Sequence, residues 1–378
     1  MIDKLNKILE IIEKNHLDFY FEHSKEELEE YKKEALSKFK LEDDYDVLYV
    51  SNYLIKKMLN NTDAHTCVNL LNTMDNLLGL NFRIIKGKLY IYQTIDGYQQ
   101  YQYCEVIKIN DVDIDKIISE VRDIKCSQTK TGEEFKIESA LVGMDILKSL
   151  PSLDSNTNEF KITVKKDDTI EEFIAPKGRC PITNYEYSVS KDIMYIKYSR
   201  CSQSYDNQML DFVKNISEVK DINYYIVDLR DNTGGNNKIA NPLIELLTGK
   251  NVIVLIDKYV FSACRFACVE LKKIGAKFIG TDIGTTLNCF GNIPKVEFDN
   301  FSIFASNRYF AFHPDITFDI NSKETIKIIK DNKKYYEPIY FHPDIYVEES
   351  IEALREGKDV YMDAAYEYID NISNKKEQ

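Results

Sequence analysis

The chain of 378 residues contains no tryptophan and carries no excess of positive charge. Its longest apolar runs also fall short of the roughly 18–20 residues needed to cross a bilayer. With 49 basic against 62 acidic side chains, the formal net charge is −13. A surface that tracks phosphates needs clustered Lys and Arg, and an anionic leaflet repels a chain of this charge. Nucleic acid and membrane are therefore not expected partners. The first residues, Met1-Ile-Asp-Lys-Leu-Asn-Lys-Ile-Leu-Glu, lack the uninterrupted apolar segment of a secretion signal, so the expected location is the cytoplasm. Eight cysteines (Cys67, Cys104, Cys126, Cys180, Cys201, Cys264, Cys268, Cys289) show neither Cys-x-x-Cys pairs nor zinc-type spacing with His. Reduced thiols, mostly buried, are the expected state. No metal cluster and no glycine-rich nucleotide loop is present, so no cofactor is expected. Repeats at a fixed period and low-complexity segments are also missing. What remains, 44% apolar and 29% charged residues, is the composition of a globular protein of two or three domains.

Apolar residues from Ile2 to Leu78 recur at three- and four-residue intervals. Leu5, Ile8, Leu9 and Ile12 form one stripe and Val47, Val50, Leu54 and Met58 another, the pattern of amphipathic helices. Ser24 followed by Glu27 reads as a capping box that opens a helix. These features predict a helical region over 1–78. After Gly79, short β-branched runs between Gly, Asn and Asp (82–85, 88–92, 105–109, 160–164) predict a strand-rich middle over 79–178, with a helix near 113–121. The stretch Ala175-Pro-Lys-Gly-Arg-Cys-Pro reads as a linker. Beyond it, strands at 193–198, 224–229, 252–256 and 277–280 alternate with helices at 208–219, 239–247 and 262–274. Such a series predicts a sheet with helices packed across it over 179–378, and the whole chain as an α+β multidomain protein.

Three places could carry chemistry. The strand ending at Leu229 runs into Asp231-Asn-Thr-Gly234-Gly235, and ligands of α/β sheets bind past the carboxyl ends of strands. Glycine there lets backbone N–H groups approach a developing anion, although Gly-Gly is also a plain turn. Ser262 opens a helix after a buried strand. Its hydroxyl is either a nucleophile, with the Ala263 amide as an oxyanion donor, or simply a favoured N-cap. A serine nucleophile needs a base, and of five histidines His65 stands in the polar loop Asn60-Asn-Thr-Asp-Ala-His-Thr-Cys. His16 and His23 read as surface residues of helices. His313 and His342 read as structural or substrate-proximal.

Asp63-Ala-His-Thr, Val227-Asp-Leu-Arg-Asp-Asn-Thr-Gly-Gly, Phe261-Ser-Ala, Gly280-Thr-Asp-Ile-Gly and Pro343-Asp-Ile-Tyr-Val occur in an order that resembles the C-terminal-processing (tail-specific) and tricorn-core serine peptidases, over about residues 50–370. The ending Gly357-Lys-Asp is similar too. The resemblance implies a crotonase/ClpP-like ββα catalytic core and a PDZ-like or degenerate-PDZ middle domain. It implies Ser262 as nucleophile, Gly234, Gly235 and Ala263 as the oxyanion region, and His65 as base in the manner of the tricorn-like branch. The lysine that the tail-specific branch uses about 25 residues after the serine is replaced by Leu287. Glu337 matches the glutamate that polarises the base. Two positions depart from the family pattern: Arg265 stands where Glu is usual, and Ala64 precedes the base. The implied activity is hydrolysis of peptides or unfolded proteins, with homo-oligomerisation left open. The alternatives are a catalytically silent peptide-binding relative and a crotonase-like acyl-transfer enzyme. If an ordinary histidine value of about 6.5 applies, activity should rise through slightly acidic pH.

Overall fold

The computed structural model describes residues 1–376 except 72, 74, 75, 205–207, 314 and 315. The side chain of His313 lies outside the described part. The chain forms two compact units: residues 1–181 with 286–339, and residues 182–285 with 340–378.

In the first unit the helices Ile2–Asn15, Lys25–Lys38 and Asp44–Leu59 follow the sequence pattern closely. Leu5, Ile8, Leu9 and Ile12 are all buried, as are Val47, Val50, Leu54 and Met58. The second helix opens on the expected capping box, with Ser24 and Glu27 each bonding the other's backbone N–H. Helix does not continue to residue 78. The third helix stops at Leu59, and the Asn-rich turn after it places Asn61 at a left-handed φ of 71°. Cys67–Leu70 then forms a strand antiparallel to Phe301–Phe304. Buried Asn52 fixes that strand to the helix, because its amide donates to the Leu48 and Val68 carbonyls while its oxygen accepts Val68 N–H. The strands Leu80–Ile85, Lys88–Thr94, Glu105–Ile109, Lys161–Lys166 and Thr169–Ile174 pair in that order as an antiparallel sheet, and Val112–Asp113 pairs with Glu105–Ile109. The helix Ile114–Arg122 follows.

The second unit is a six-stranded sheet. Its spatial order is Ile345–Tyr346, Lys277–Gly280, Asn251–Ile256, Tyr224–Asp228, Ile193–Tyr198 and Tyr185–Ser190; all neighbours are parallel except the last pair. Alternate residues of the central strands point to one face, where Tyr224, Ile226, Ile253, Leu255 and Ile279 pack against Tyr361, Ala365 and Ile369 of the helix Val360–Lys376. Burying each large apolar side chain in such a layer contributes about 1.5–3 kcal/mol. The helices Asn241–Leu247 and Cys264–Lys273 complete the alternation of strand and helix. The fold is thus mixed α+β in two units. Among the described residues no helix is long and apolar enough to cross a membrane.

Candidate active site

Ser262 does not cap the helix that follows it. The helix Cys264–Lys273 takes Ala263 as its N-cap, and Ser262 lies one position earlier with a left-handed φ of 51°. That conformation is unfavourable for a residue with a Cβ and persists only where its surroundings impose it. Those surroundings are visible. Cys264 N–H donates to the Phe261 carbonyl at 3.1 Å, and the Arg265 N–H and guanidinium Nη1 both donate to the Ser262 carbonyl, at 3.3 and 2.8 Å. Arg265, where the family pattern expects Glu, is a buried clamp on the serine's own peptide.

The Gly-Gly turn lies against the serine turn. Phe261 N–H donates to the Asn232 carbonyl. A Cβ on Gly234, whose φ is 98°, would come within 2.7 Å of Ala263 N and 2.8 Å of Ser262 Cβ. A Cβ on Gly235 would meet the Cys201 carbonyl oxygen at 2.2 Å. Only glycine fits either position. The Gly234 N–H donates to Asn232 Oδ1 at 3.0 Å, and Asn232 is held in turn by its amide bond to the Tyr198 carbonyl. Among the described residues, the Gly235 and Ala263 N–H groups donate to no protein acceptor.

The other recognisable motifs of this unit hold the sheet together. Gly280 has φ 140°, and a Cβ there would lie 1.9 Å from the Ile256 carbonyl oxygen on the neighbouring strand. Asp344 of Pro343-Asp stitches the last strand on, since its N–H donates to the Phe278 carbonyl and its carboxylate accepts Phe278 N–H. His342 is exposed and pairs with Asp282 at 2.8 Å. Asp359 of Gly357-Lys-Asp accepts the N–H groups of Tyr361 and Met362 at the start of the last helix and binds Arg230 through two 2.8 Å bonds. Arg230 also bonds buried Asp228, which accepts from Lys197 and from the Tyr195 hydroxyl. Burial alone would push the Asp228 carboxyl up, but the charges of Arg230 and Lys197 outweigh it and hold it far below the usual range.

In the first unit the candidate base is organised by a residue whose role the sequence left unread. Asp63, fully buried, accepts His65 N–H at 2.7 Å and Thr66 N–H at 3.3 Å on Oδ1, and the Thr66 hydroxyl at 2.5 Å on Oδ2. His65 Nδ1 lies 3.7 Å from Asp63 Oδ1. His16, expected at the surface, is instead buried, with Nε2 3.0 Å from Asp63 Oδ2. Burial raises the Asp63 carboxyl, while the bonds from His16 and His65 more than reverse that and hold it well below the ordinary carboxylate range. The loop is tied down from outside as well: Thr66 Oγ1 accepts Ser306 N–H, Asn61 N–H donates to the Ser127 carbonyl, and the Gln128 amide donates to the Thr62 carbonyl. A Cβ on Gly291 would press on the Phe310 ring, 3.3 Å from Cε2, and would meet His65 Cε1 at an ordinary contact distance of 3.9 Å.

Glu337 is exposed, and its carbonyl accepts from Asn288. It lies on the rim of a cavity of about 320 Å3 lined also by Thr62, Gln128, Asn288, Tyr309 and Lys333. The buried carboxylate next to the His65 ring is Asp63. The sequence offered one signal for it, the Asp-x-His spacing, which puts a carboxylate within reach of the backbone N–H two residues on. His16 offered none, because its partner lies 47 positions away. Among the described residues no group of three or more His, Cys, Asp or Glu is placed to hold a metal ion.

The second unit thus presents a serine in a left-handed turn beside the Gly-Gly segment, and the first unit presents a histidine beside a buried carboxylate. Residues 192–264 match Peptidase family S41. The chain therefore resembles this peptidase family, as its motifs imply. Among solved structures, mature CPAF complexed with lactacystin aligns with a TM-score of 0.61 at 12% identity, covering 93% of this chain and 92% of that one. Mature CPAF aligns at 0.56 and 10% identity, covering 93% of each. A photosystem II D1 C-terminal processing protease aligns at 0.48 and 11% identity, covering 91% and 92%. At these identities the likeness to the two CPAF structures is one of fold. Among curated proteins none matches.

Proposed function

We propose that the protein is a serine peptidase that cleaves peptide bonds through an acyl-enzyme on Ser262. The observation that carries the reading is the conformation of Ser262: left-handed, off the N-cap, and beside two amides that donate to no protein group among the described residues. A capping serine has no reason to be held this way. In this reading the Ser262 hydroxyl proton passes to His65 Nε2 as Oγ bonds the substrate carbonyl carbon. The Gly235 and Ala263 amides receive the oxyanion, and Gly234 shapes the turn by its missing Cβ. His65 then protonates the departing amine as the C–N bond breaks, and water repeats the sequence to release the acid. Asp63, on the Nδ1 side, holds the ring and stabilises its charged form, as a buried carboxylate does in a triad. Glu337, at the cavity rim, would contact substrate or assist the base. The reading requires the histidine of the first unit and the serine of the second to act on one substrate.

The activity extends to unfolded chains or short peptides, with the antiparallel sheet over residues 80–174 as the degenerate PDZ-like module and the second unit as the crotonase/ClpP-like core. Cytoplasmic placement and self-association belong to the same proposal. A fluorophosphonate probe with site mapping is the direct test. Ser262 is expected to be modified, Ser262→Ala to lose both label and peptide hydrolysis by about 10⁴-fold or more, and His65→Ala to slow both by about 10²- to 10⁴-fold. Hydrolysis that survives in Ser262→Ala would overturn the assignment.

A further inference from the structure

His16 stands at the end of the first helix, far in sequence from the base loop, yet its ring is fully buried against that loop. Its two nitrogens have separate partners. Nδ1 accepts the Asp18 backbone N–H at 3.1 Å, and Nε2 lies 3.0 Å from Asp63 Oδ2. An N–H donor fills Nδ1, so the proton of the neutral ring must sit on Nε2 and point at the carboxylate. The ring is also packed, with its centroid 4.9 Å from that of Phe290 and 6.1 Å from that of Phe19. A histidine meant only to fill space there would be replaced at no cost by an aromatic hydrocarbon.

We propose that His16 is a positioning residue for the base, acting through Asp63 as a neutral hydrogen-bond donor. Asp63 has two faces. Oδ1 receives the His65 backbone N–H and faces the His65 ring, whereas Oδ2 receives the Thr66 hydroxyl and His16. The two Oδ2 donors fix the carboxylate rotamer, and so decide where Oδ1 is presented to His65. The neutrality of His16 matters as much as its bond. Protonation at Nδ1 would break the Asp18 contact and place a second positive charge on the carboxylate that must stabilise His65 when it holds the serine's proton. A neutral donor leaves the whole negative charge of Asp63 for that step. Outer partners of metal-bound histidines change affinity or activity by about ten- to a hundredfold when removed, and the same scale is expected for a group that fixes the carboxylate behind the base.

The inference rests on the peptidase reading, but its test separates the two. In the wild-type protein labelled with ¹⁵N-histidine, the His16 ring at pH 7.5 should show a protonated Nε2 and a bare Nδ1; the opposite tautomer or a doubly protonated ring overturns the proposal, whatever the protein's activity. Two variants then distinguish donor from filler. His16→Gln keeps a neutral N–H donor near the Nε2 position, and His16→Phe keeps the aromatic packing without the donor. His65 ring resonances should stay in place in His16→Gln and move in His16→Phe. Peptide turnover should follow, with kcat near wild type in the first and lower by about ten- to a hundredfold in the second, KM changing less than about twofold in both. Equal behaviour of the two variants, in resonances or in kcat, overturns the role. If hydrolysis persists in Ser262→Ala, the peptidase reading falls, and the tautomer and resonance measurements still decide the inference about His16.

Discussion

The two glycines at the serine turn act through what they lack. Their missing Cβ atoms let one backbone segment lie within van der Waals contact of another, and at Gly235 the obstacle is the carbonyl of Cys201, a rigid neighbour. Gly235→Ala should therefore lower the unfolding midpoint and weaken probe labelling together, with a stability loss of about 1–3 kcal/mol from the strained backbone alone. At Asp63 the deciding quantity is the number of donors. Four groups donate to it or lie within bonding distance of it, and Asp63→Asn would turn an NH2 against one pair of them. Thermal unfolding should report a loss of about 1–3 kcal/mol for the unsatisfied buried groups, and kcat should fall further than KM rises. Of these residues the sequence made the serine, the glycines and His65 legible, because each sits in a short local pattern. The Asp63–His16 contact was illegible, since a turn and two helices intervene between its halves.

Secondary structure followed local pattern at many elements, but the helices Lys130–Leu141 and Met144–Ser149 lie in the middle region where only the helix near 113–121 is expected. The strands at Glu105–Ile109, Ile193–Tyr198 and Lys277–Gly280 have the ends that the sequence predicts. Two other departures are instructive. Residues 67–70 carry too few positions for periodicity to separate helix from strand, and pairing with Phe301–Phe304 decided the matter. The expected helix at 239–247 is likewise split, a 3₁₀ turn over Asn237–Ala240 leading into Asn241–Leu247 with proline near its start. Two substitutions test the element scale from opposite sides. Ser24→Ala removes the capping box and should cost about 0.5–2 kcal/mol without altering turnover, measured by thermal unfolding beside an activity assay. Gly280→Ala drives a methyl into the adjoining strand and should destabilise the second unit far more, seen as loss of Ser262 labelling at temperatures the wild type tolerates.

For the whole molecule, charge buried in pairs sets the response to acid. Asp63 and Asp228 are both held below their unfolded range of about 3.9. A carboxyl with a depressed folded value binds protons more readily when unfolded, so its contribution is complete above that range and is lost as pH falls through it toward the folded value. The part of the stability that these two carboxyls supply should be complete down to about pH 4 and be lost below, read by circular dichroism as the difference in acid unfolding between the wild type and Asp228→Asn. Asp228→Asn, which strands Arg230 and Lys197 without their buried partner, should remove part of that acid dependence and cost about 3–5 kcal/mol at neutral pH. By itself the sequence determined the helical and strand periodicities, the glycines that only a close backbone approach explains, and the motif order that marks the peptidase resemblance, because all of these are encoded over a few neighbouring residues. The tertiary structure alone decided that residues 286–339 join the first unit, that Ser262 is strained and not a cap, and that His16 reaches Asp63. Those facts depend on which distant segments share a core, and no local pattern carries that information.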